Sequence, residues 1–442
     1  MASTYLTRTF ETATDRKKCT ISFWIKKGFS SETQQPFCSY YTASYRLQFY
    51  FENDDKITIY NQDNGTDTVY LSSKAAYRDC NAWYHCYAAI DTTLATETDR
   101  VKVYINGERY TDWNGTTTYP SQNSDMSYGS TAYVHNIGRY GGGNHYVNGS
   151  LSHYYFVDGS VIDVSQFGST DSTTGEWKIS TSPTIASYGN SGCKMFINDA
   201  SVDDQSGNGN NFTLSGGTLT KTEDNPSNIF ATWNPLMPNS ITYSNGNTTC
   251  TNTADANYRN AWTTIATPTT GKFYAEFKAV SGFSAINKAI GYVEVEQTYD
   301  GDAHLEAYAL EGSYGSNGRV SYNQTIDSSV PTFTDGDIIG MALDLDNGKA
   351  YYHKNGTYIN SGVPTSGSTG TGGYTMTTGK QYALASITIN QGGANVWSAN
   401  FGNGYFGTTA VASAGTNASG IGIFEYDVPT GYTALSTKGL NE

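Results

Sequence analysis

The sequence predicts an all-β protein built from two tandem antiparallel β-sandwiches. Apolar and polar residues alternate in many short runs, and no stretch carries apolar residues at helical spacing over several turns. With 442 residues, the chain is too long for one sandwich and long enough for two, because domains span roughly 100–200 residues. An Asn-Gly hairpin signal occurs in each half, at Asn106-Gly107 and in the segment 344–356. Asn and Gly tolerate the positive φ angles of a two-residue turn.

Composition narrows the classes of function. The formal net charge is −14, and no cluster of five or more basic residues occurs. Nucleic-acid binding is disfavoured because it needs Lys and Arg to displace counterions. No segment approaches the ~18 apolar residues of a membrane span, and the N-terminus lacks an apolar stretch of signal-peptide length. We therefore expect no nucleic-acid partner, no membrane insertion and no conventional secretion.

Cysteine and tyrosine usage also fits a sandwich that folds inside a cell. The six cysteines include no Cys-x-x-Cys pair, and their spacing fits neither a zinc site nor a dense disulfide frame. We expect buried free thiols, as in a reducing cytosol. Most of the 36 tyrosines are expected at pleated strand positions, for which Tyr has good propensity.

The first half contains a succession of strand-like segments. Residues 20–26 alternate so that Ile21, Phe23 and Ile25 face one way, which predicts a core strand. Further strands are predicted at residues 46–51, 56–60, 83–91, on both sides of Asn106-Gly107, and at 133–138 and 149–159.

Three of these segments, and a fourth further along the chain, resemble a known family. Trp83-Tyr84-His85, the strand end 103–107 and the segment 148–156 resemble successive strands of a concanavalin A-like, laminin-G-type sandwich. Asp204-Gln205-Ser206-Gly207-Asn208-Gly209-Asn210 resembles the recurring D-x-S-G-N-G-N segment of that family. The resemblance implies a concanavalin A-like jelly roll over residues 1–220. It also implies binding of glycans or proteins, with calcium at the rim in some members.

The candidate sites of this half are a turn and a loop. Residues 61–67 and Asp203-Asp204 offer carboxylate and amide oxygens that suit Ca²⁺, but we favour Asx-rich turns there and expect no cofactor or metal site. The loop 139–146 combines glycines with aromatic side chains. It predicts partner or ligand contacts by Tyr140, His145 and Tyr146, and the alternative is a hairpin connection without a ligand.

A connector is expected between the halves. Residues 221–240 hold three of the ten prolines, and proline stiffens a connector and interrupts strand pairing. We predict a semi-rigid linker that is packed onto one or both domains by Ile229, Phe230 and Trp233. This stretch resembles a segment that recurs in predicted virion proteins of tailed bacteriophages.

The second half predicts another sandwich. The segment 344–356 predicts a strand, a tight turn at Asn347-Gly348, a strand, and a second turn at Asn355-Gly356. Residues 271–277, 289–293, 335–356 and the Asn-Phe-Gly at 400–402 resemble, in this order, the signature segments of a SPRY domain. The resemblance implies a SPRY-like sandwich over residues 241–442. The tail 424–438 resembles the ending of the same phage proteins.

A SPRY-like domain implies recognition by loops and no catalytic residue. The contact residues expected here are Tyr299, Tyr314, Arg319 and Tyr374, and the alternative is that they are ordinary loop residues. Glu294 and Glu296 share one face of a strand, which suits either a catalytic pair of acids or a solvent-facing strand surface. We assign no catalytic residue.

The leading functional hypothesis is a non-enzymatic bacteriophage virion structural protein. It would be a fibre, tail appendage or capsid-surface protein, located on the virion after synthesis in the cytoplasm of the host bacterium. The expected partners are other virion proteins and a host cell-surface glycan, and the chain is expected to form a homo-oligomer. One alternative is a glycan-degrading depolymerase, which needs two carboxylates in a cleft. A second is a purely architectural virion spacer.

Overall fold

The computed structural model describes residues 3–237, 241–252, 259–283, 288–296, 312–322, 325–388 and 394–441. The chain divides into two units, Met1–Lys221 and Thr222–Glu442. The regular structure of the described residues consists of β-strands and short 3-10 helices, without an α-helix. In these ranges, no helix has the length and apolarity needed to cross a membrane. The all-β prediction is confirmed.

The first unit consists of two sheets and a short ribbon. One sheet has seven strands in the order β15-β1-β10-β3-β4-β5-β6, the other has six in the order β14-β11-β2-β7-β8-β9, and β12 pairs with β13. The short 3-10 helices are Glu97–Asp99 and Val164–Gln166. The strands are β1 Tyr5–Thr9, β2 Lys18–Lys27, β3 Gln34–Thr42, β4 Tyr45–Phe51, β5 Lys56–Asp63, β6 Thr66–Ala76, β7 Trp83–Asp91, β8 Val101–Ile105, β9 Glu108–Tyr110, β10 Val134–Ile137, β11 Gly149–Asp158, β12 Gly168–Thr170, β13 Trp177–Ile179, β14 Cys193–Met195 and β15 Thr213–Ser215.

The core of the first unit lies between the two large sheets. Ile21, Phe23 and Ile25 of β2 are buried in it, which confirms the predicted inward face of this strand. Phe49 of β4 packs edge-on against Phe23, with ring centroids 5.4 Å apart. Truncation of a buried ring such as Phe49 to Ala costs about 3–5 kcal/mol of unfolding free energy, because it leaves a cavity.

The described residues of the second unit form two large sheets, of nine and six strands, and a two-stranded ribbon. The first follows the path β16-β17-β29-β19-β24-β25-β26, with β27 on β25 and β32 on β19, and the second follows β18-β28-β20-β21-β22-β23. The 3-10 helices are Ile359–Ser361, Pro364–Thr369 and Gly439–Asn441. The strands are β16 Ile241–Ser244, β17 Thr249–Asn252, β18 Arg259–Trp262, β19 Lys272–Ser281, β20 Lys288–Glu294, β21 Gly312–Gly315, β22 Arg319–Tyr322, β23 Thr325–Asp327, β24 Ile338–Asp344, β25 Lys349–Lys354, β26 Thr357–Tyr358, β27 Tyr374–Thr375, β28 Tyr382–Thr388, β29 Asn395–Asn400, β30 Tyr405–Phe406, β31 Thr409–Ala410 and β32 Thr433–Ala434.

The Asn-Gly signals form two different kinds of turn. Asn106-Gly107 and Asn355-Gly356 are two-residue turns with positive φ at both positions, as predicted. Asn347-Gly348 instead closes a four-residue loop, since Asp344 pairs with Lys349. The Asp344 carboxylate accepts hydrogen bonds from both the backbone N–H and the side-chain amide of Asn347 (3.1 and 2.8 Å), which favours the longer loop.

The ends of the second unit pack against its large sheet. Residues 222–237 belong to this unit, whereas a linker was expected at 221–240. Phe230 and Trp233 are buried, and the N–H of Ala231 donates to the carbonyl of Leu435 at 2.9 Å. Strand β32 lies parallel to β19, which departs from the antiparallel pairing expected throughout. Burial of the Phe230 and Trp233 rings explains why this stretch is part of the second unit and not a free connector.

Candidate functional site

A groove of about 510 Å³ lies on the outer face of the seven-stranded sheet. Side chains alternate between the two faces of a strand. On β4, Leu47, Phe49 and Phe51 therefore point into the core, whereas Arg46, Gln48 and Tyr50 line the groove. The volume falls within the range of small-molecule sites, roughly 300–1,000 Å³.

Strand register aligns groove residues from neighbouring strands. Gln48 of β4 pairs with Tyr60 of β5, which pairs with Tyr70 of β6. The rings of Tyr60 and Tyr70 meet edge to face, with centroids 6.2 Å apart. Because paired residues point to the same face, these side chains form a continuous row across the sheet.

Three half-buried tyrosines supply the aromatic surface of the groove: Tyr50, Tyr70 and Tyr140. Burial raises the pKa of all three phenols, so each is neutral and can donate a hydrogen bond at neutral pH. A Tyr side chain combines an apolar ring with one polar group, which suits a ligand that has both apolar faces and hydroxyls.

Two buried glutamines contribute to the polar lining of the groove. Gln48 Nε2 donates to Gln35 Oε1 at 2.9 Å, and the side chains are only 5% and 2% exposed. Whichever amide donates, the pair retains one unused NH₂ group and one unused carbonyl oxygen, because each amide offers both functions. Both residues line the groove, so these two groups can meet a ligand.

Arg46 holds two tyrosines in place. Its guanidinium lies over the rings of Tyr60 and Tyr140, 5.0 and 5.8 Å from their centroids. Nη1 donates to the Tyr140 hydroxyl (3.1 Å) and to the Ala43 carbonyl, and Nη2 donates to the Tyr60 hydroxyl (3.3 Å). The pKa of Tyr60 is raised to about 12, first by burial of the phenol and second by its hydrogen bond to Asp67. Arg46 thus connects the sheet to the loop above it.

The charges in the groove are few and opposite in sign. The lining contains the carboxylate of Glu52 and the guanidinium of Arg46. Glu52 accepts a hydrogen bond from the Thr58 hydroxyl at 2.5 Å. His145 also lines the groove, and burial lowers the pKa of its imidazole, which keeps it neutral at pH 7.

The loop 139–146 lies over the sheet because it has no side chain at Gly141. A Cβ there would lie 2.2 Å from Cβ of Tyr40. The N–H of Gln35 also donates to the His145 carbonyl at 3.2 Å. Of the predicted contact residues, the loop brings Tyr140 and His145 into the groove. Tyr146 is half-buried and packs on Tyr5 instead, with ring centroids 6.0 Å apart.

Of the predicted contact residues of the second unit, Tyr314 and Tyr374 lie inside the sandwich. Tyr314 is fully buried and donates to the Pro331 carbonyl at 2.6 Å. Tyr374 is 3% exposed and donates to Asp327 at 3.0 Å. The expectation of exposed anchors is corrected at these two positions, because both rings lie on strands and pack inside the sandwich. Arg319 is exposed on β22, and Tyr299 lies outside the described residues.

The candidate acids are engaged in internal contacts. Lys380 forms ion pairs with both Glu294 and Glu296. Asp67 accepts hydrogen bonds from the Tyr60 hydroxyl and the Gln62 amide, within the turn considered for calcium.

Asp204 of the second calcium candidate is likewise engaged. It accepts backbone N–H groups of Lys194, Ser206 and Asn210, so donors rather than a cation face its oxygens. Within the described ranges, no group of three or more His, Cys, Asp or Glu could hold a metal.

A serine–histidine pair on the six-stranded sheet does not form a nucleophile. The Trp177 indole N–H donates to Nδ1 of His85 at 3.1 Å, which places the imidazole proton on Nε2. That proton faces Ser22 Oγ, 2.9 Å away, so His85 donates to the serine and cannot take its proton. Burial lowers the pKa of His85 to about 3.

Sequence reasoning missed the floor of the groove: Gln35, Arg46, Gln48, Tyr50 and Tyr70. The available signal was the alternation in residues 46–51, where every second residue is polar or amphipathic on a strand whose other face is Leu, Phe and Phe. Alternation identifies an outward face, but it does not show that a distant loop turns this face into a groove.

Comparisons with known proteins agree with the sandwich fold. Residues 2–164 match the family described as the concanavalin A-like lectin/glucanases superfamily. No curated protein matches the chain in sequence.

Several solved structures match parts of this chain at low similarity. The SPRY domain of human HERC1 is 13% identical over 34% of this chain and 86% of its own, with a TM-score of 0.27. The heptameric SAP-like pentraxin from Limulus polyphemus is 17% identical over 49% and 88%, with a TM-score of 0.32. Domain 4 of AbnA, a GH43 extracellular arabinanase from Geobacillus stearothermophilus solved with arabinotriose, is 12% identical over 33% and 63%, with a TM-score of 0.24.

Proposed function

We propose that this chain is a non-enzymatic glycan-binding protein whose first unit binds sugar in the outer-face groove. The observation that supports this most is the combination of half-buried tyrosine rings with the buried Gln35–Gln48 amide pair. Sugar rings present apolar C–H faces and hydroxyls, which match aromatic faces and amide groups. The family match over residues 2–164 supports the same class of ligand.

We further propose that the protein is a structural component of a bacteriophage virion, as a fibre, tail appendage or capsid-surface protein. The support is the resemblance of residues 221–238 and 424–438 to segments of phage virion proteins. All six cysteines are buried free thiols, which fits synthesis in the reducing cytoplasm of a host bacterium. In this role the chain would form a homo-oligomer, contact other virion proteins and attach the particle to host glycan.

The contacts of the candidate carboxylates favour glycan binding over glycan hydrolysis. Glycoside hydrolysis needs two carboxylates across the scissile bond, one of them as a proton donor. Glu52 is the carboxylate of the groove lining, and the Glu294 and Glu296 pair is joined by Lys380. Both carboxylates of that pair are therefore bonded to one ammonium group rather than open to a sugar.

The test uses the purified full-length chain against host surface polysaccharide and a glycan array. We expect retention of glycan without release of oligosaccharide, and loss of retention in a Tyr50→Ala variant. Tyr41→Ala is the matched control, since Tyr41 is 51% exposed and does not line the groove. Absence of binding to any glycan would refute the proposal and leave the architectural spacer. Oligosaccharide release that disappears in Glu294→Gln would favour the depolymerase.

The virion location has its own test. A density map or immunogold labelling of the phage particle that encodes this chain should place it on the exterior of the tail or capsid. A chain found only in infected-cell lysate, and not on particles, would contradict the structural role.

A further inference from the structure

We infer that the groove takes an uncharged, extended oligosaccharide of about three sugar rings, laid across strands β3 to β6. This inference rests on the proposed glycan binding and adds the charge class, the length and the direction of the ligand. The engagement of Arg46, the Gln35–Gln48 pair and the strand register support it.

The groove offers no net positive charge to an acidic sugar. Three of the five N–H groups of Arg46 already donate to Tyr140, Tyr60 and the Ala43 carbonyl. Its Nε is buried, which leaves one N–H group of Nη2 for a ligand. Since the negative charge of Glu52 balances the charge of Arg46 in the same lining, a uronate or sulfate would gain no net electrostatic attraction.

The buried amides suit vicinal hydroxyls. Beyond their mutual hydrogen bond, Gln35 and Gln48 offer an NH₂ group and a carbonyl oxygen beside each other in the groove lining. Neighbouring hydroxyls of a neutral sugar can accept from the NH₂ group and donate to the carbonyl oxygen. A carboxylate offers acceptors alone, so it could bond the NH₂ group but not the Gln48 oxygen.

The register sets the direction and length of the site. Lining residues come from β3 (Gln35), β4 (Gln48) and β6 (Tyr70), with Tyr60 of β5 between them in register. Four strands spaced about 4.8 Å apart span about 14 Å, room for roughly three pyranose rings end to end. Beyond β6, the N–H of Tyr70 pairs with the Thr118 carbonyl at 3.0 Å, so another segment continues the sheet there.

The first test compares ligands by calorimetry with the full chain. The neutral probes are cello-, malto- and chito-oligosaccharides of one to six rings, and the acidic probes are oligogalacturonate and sulfated oligosaccharide. We expect at least one neutral series to bind, with affinity that rises up to the trisaccharide and then levels off. Binding should be insensitive to NaCl from about 0.05 to about 0.5 M, because no ion pair is made.

The second test uses the two sides of the groove. Tyr70→Ala and Tyr140→Ala should each weaken trisaccharide binding about threefold to tenfold, as expected for one aromatic contact. Tyr70→Ala should leave monosaccharide binding unchanged, and Tyr41→Ala should leave all binding unchanged.

The outcomes separate this inference from the proposed function. Binding confined to acidic glycans and weakened by salt, or affinity independent of chain length, would overturn the inference while glycan binding stands. Failure of every probe, neutral and acidic, in this panel and on the glycan array would overturn both.

Discussion

The Tyr140 hydroxyl accepts a hydrogen bond from Nη1 of Arg46 at 3.1 Å, between residues 94 positions apart in the chain. Arg46 belongs to the sheet floor, and Tyr140 belongs to the loop that lies over it. The guanidinium also lies 5.8 Å from the centroid of the Tyr140 ring. One arginine therefore sets the position of an aromatic side chain that lines the groove, and three of its N–H groups are used in internal hydrogen bonds.

Substitution of Arg46 by Lys should weaken glycan binding about threefold to tenfold. Lysine keeps the charge but lacks the planar fork that bonds two hydroxyls and stacks on rings, so Tyr60 and Tyr140 lose their fixed positions. Calorimetry with a neutral trisaccharide measures the effect. The matched control is Arg109→Lys, since Arg109 is exposed on β9 of the six-stranded sheet and pairs with Asp99 of a 3-10 helix. Equal affinity in Arg46→Lys and wild type would show that binding does not need the contacts of Arg46 with Tyr60 and Tyr140.

Substitution of Gly141 by Ala should displace the loop 139–146. The new methyl group would lie 2.2 Å from Cβ of Tyr40, and such overpacking costs about 1–3 kcal/mol. Because the loop carries Tyr140 and His145 into the groove, we expect about a tenfold loss of glycan affinity in the same calorimetric assay.

Asn144→Ala is the control within the same loop. Its side chain is exposed, and the Asn144 carbonyl that accepts the Tyr140 N–H (2.9 Å) is backbone. This variant should bind as wild type does. A Gly141→Ala variant that retains full affinity would show that the loop contributes nothing to the site.

The sequence allowed the fold to be predicted far better than the site. Alternation located the core face of β2 correctly, because burial of Ile21, Phe23 and Ile25 depends only on local period. Tyr140 and His145, which line the groove, were predicted as contact residues because aromatic side chains beside glycines indicate a contact loop. Gln48 was not found, since its role depends on Gln35 and on a loop far away in the chain.

The errors in the second unit have a related cause. Tyr314 and Tyr374 were expected at loop surfaces, but both lie on strands and donate their hydroxyls to internal acceptors. Tyr fits buried and exposed positions equally well, so residue type alone does not separate the two. The turn at Asn347-Gly348 is longer than the predicted two-residue turn because Leu345 is buried and the Asp344 carboxylate accepts hydrogen bonds from Asn347.

Breaking the buried ion pair between Lys27 and Asp55 should destabilise the first unit. Both side chains are fully buried, so Asp55→Asn leaves an uncompensated charge and should cost about 3–5 kcal/mol of unfolding free energy. Asn is chosen because Asp55 has a φ of 66°, which Asn tolerates. Urea unfolding, read by hydrogen exchange of first-unit peptides, measures the loss.

A neighbouring pair supplies the control for this prediction. Asp54 and Lys56 are partly exposed, and Asp54→Asn should cost at most about 1 kcal/mol. The double variant Lys27→Met with Asp55→Asn should recover most of the loss, because no buried charge remains. If it is as unstable as Asp55→Asn alone, the unpaired charge is not the cause.

Glu276 should make the second unit less stable as pH rises. Burial raises the pKa of its carboxyl to about 7, against an opposing effect of the backbone N–H groups of Glu425 and Tyr426, each 2.8 Å away. The folded pKa lies above the unfolded value of 4.5, so the folded state holds the proton more tightly. The stabilisation is complete below about pH 4.5 and is lost as pH rises through 7, by about 3 kcal/mol.

The neighbouring histidine does not titrate in this window. The Gly356 N–H donates to Nδ1 of His353 at 3.1 Å, and burial lowers the pKa of His353 to about 3. Its Nε2 proton therefore faces the Tyr274 oxygen at 2.6 Å, and the Tyr274 hydroxyl donates to Glu276 at 3.0 Å. Hydrogen exchange of second-unit peptides in urea, between pH 4.5 and 7.5, should show the fall in wild type and not in Glu276→Gln. The same pH slope in both proteins would assign it to other groups.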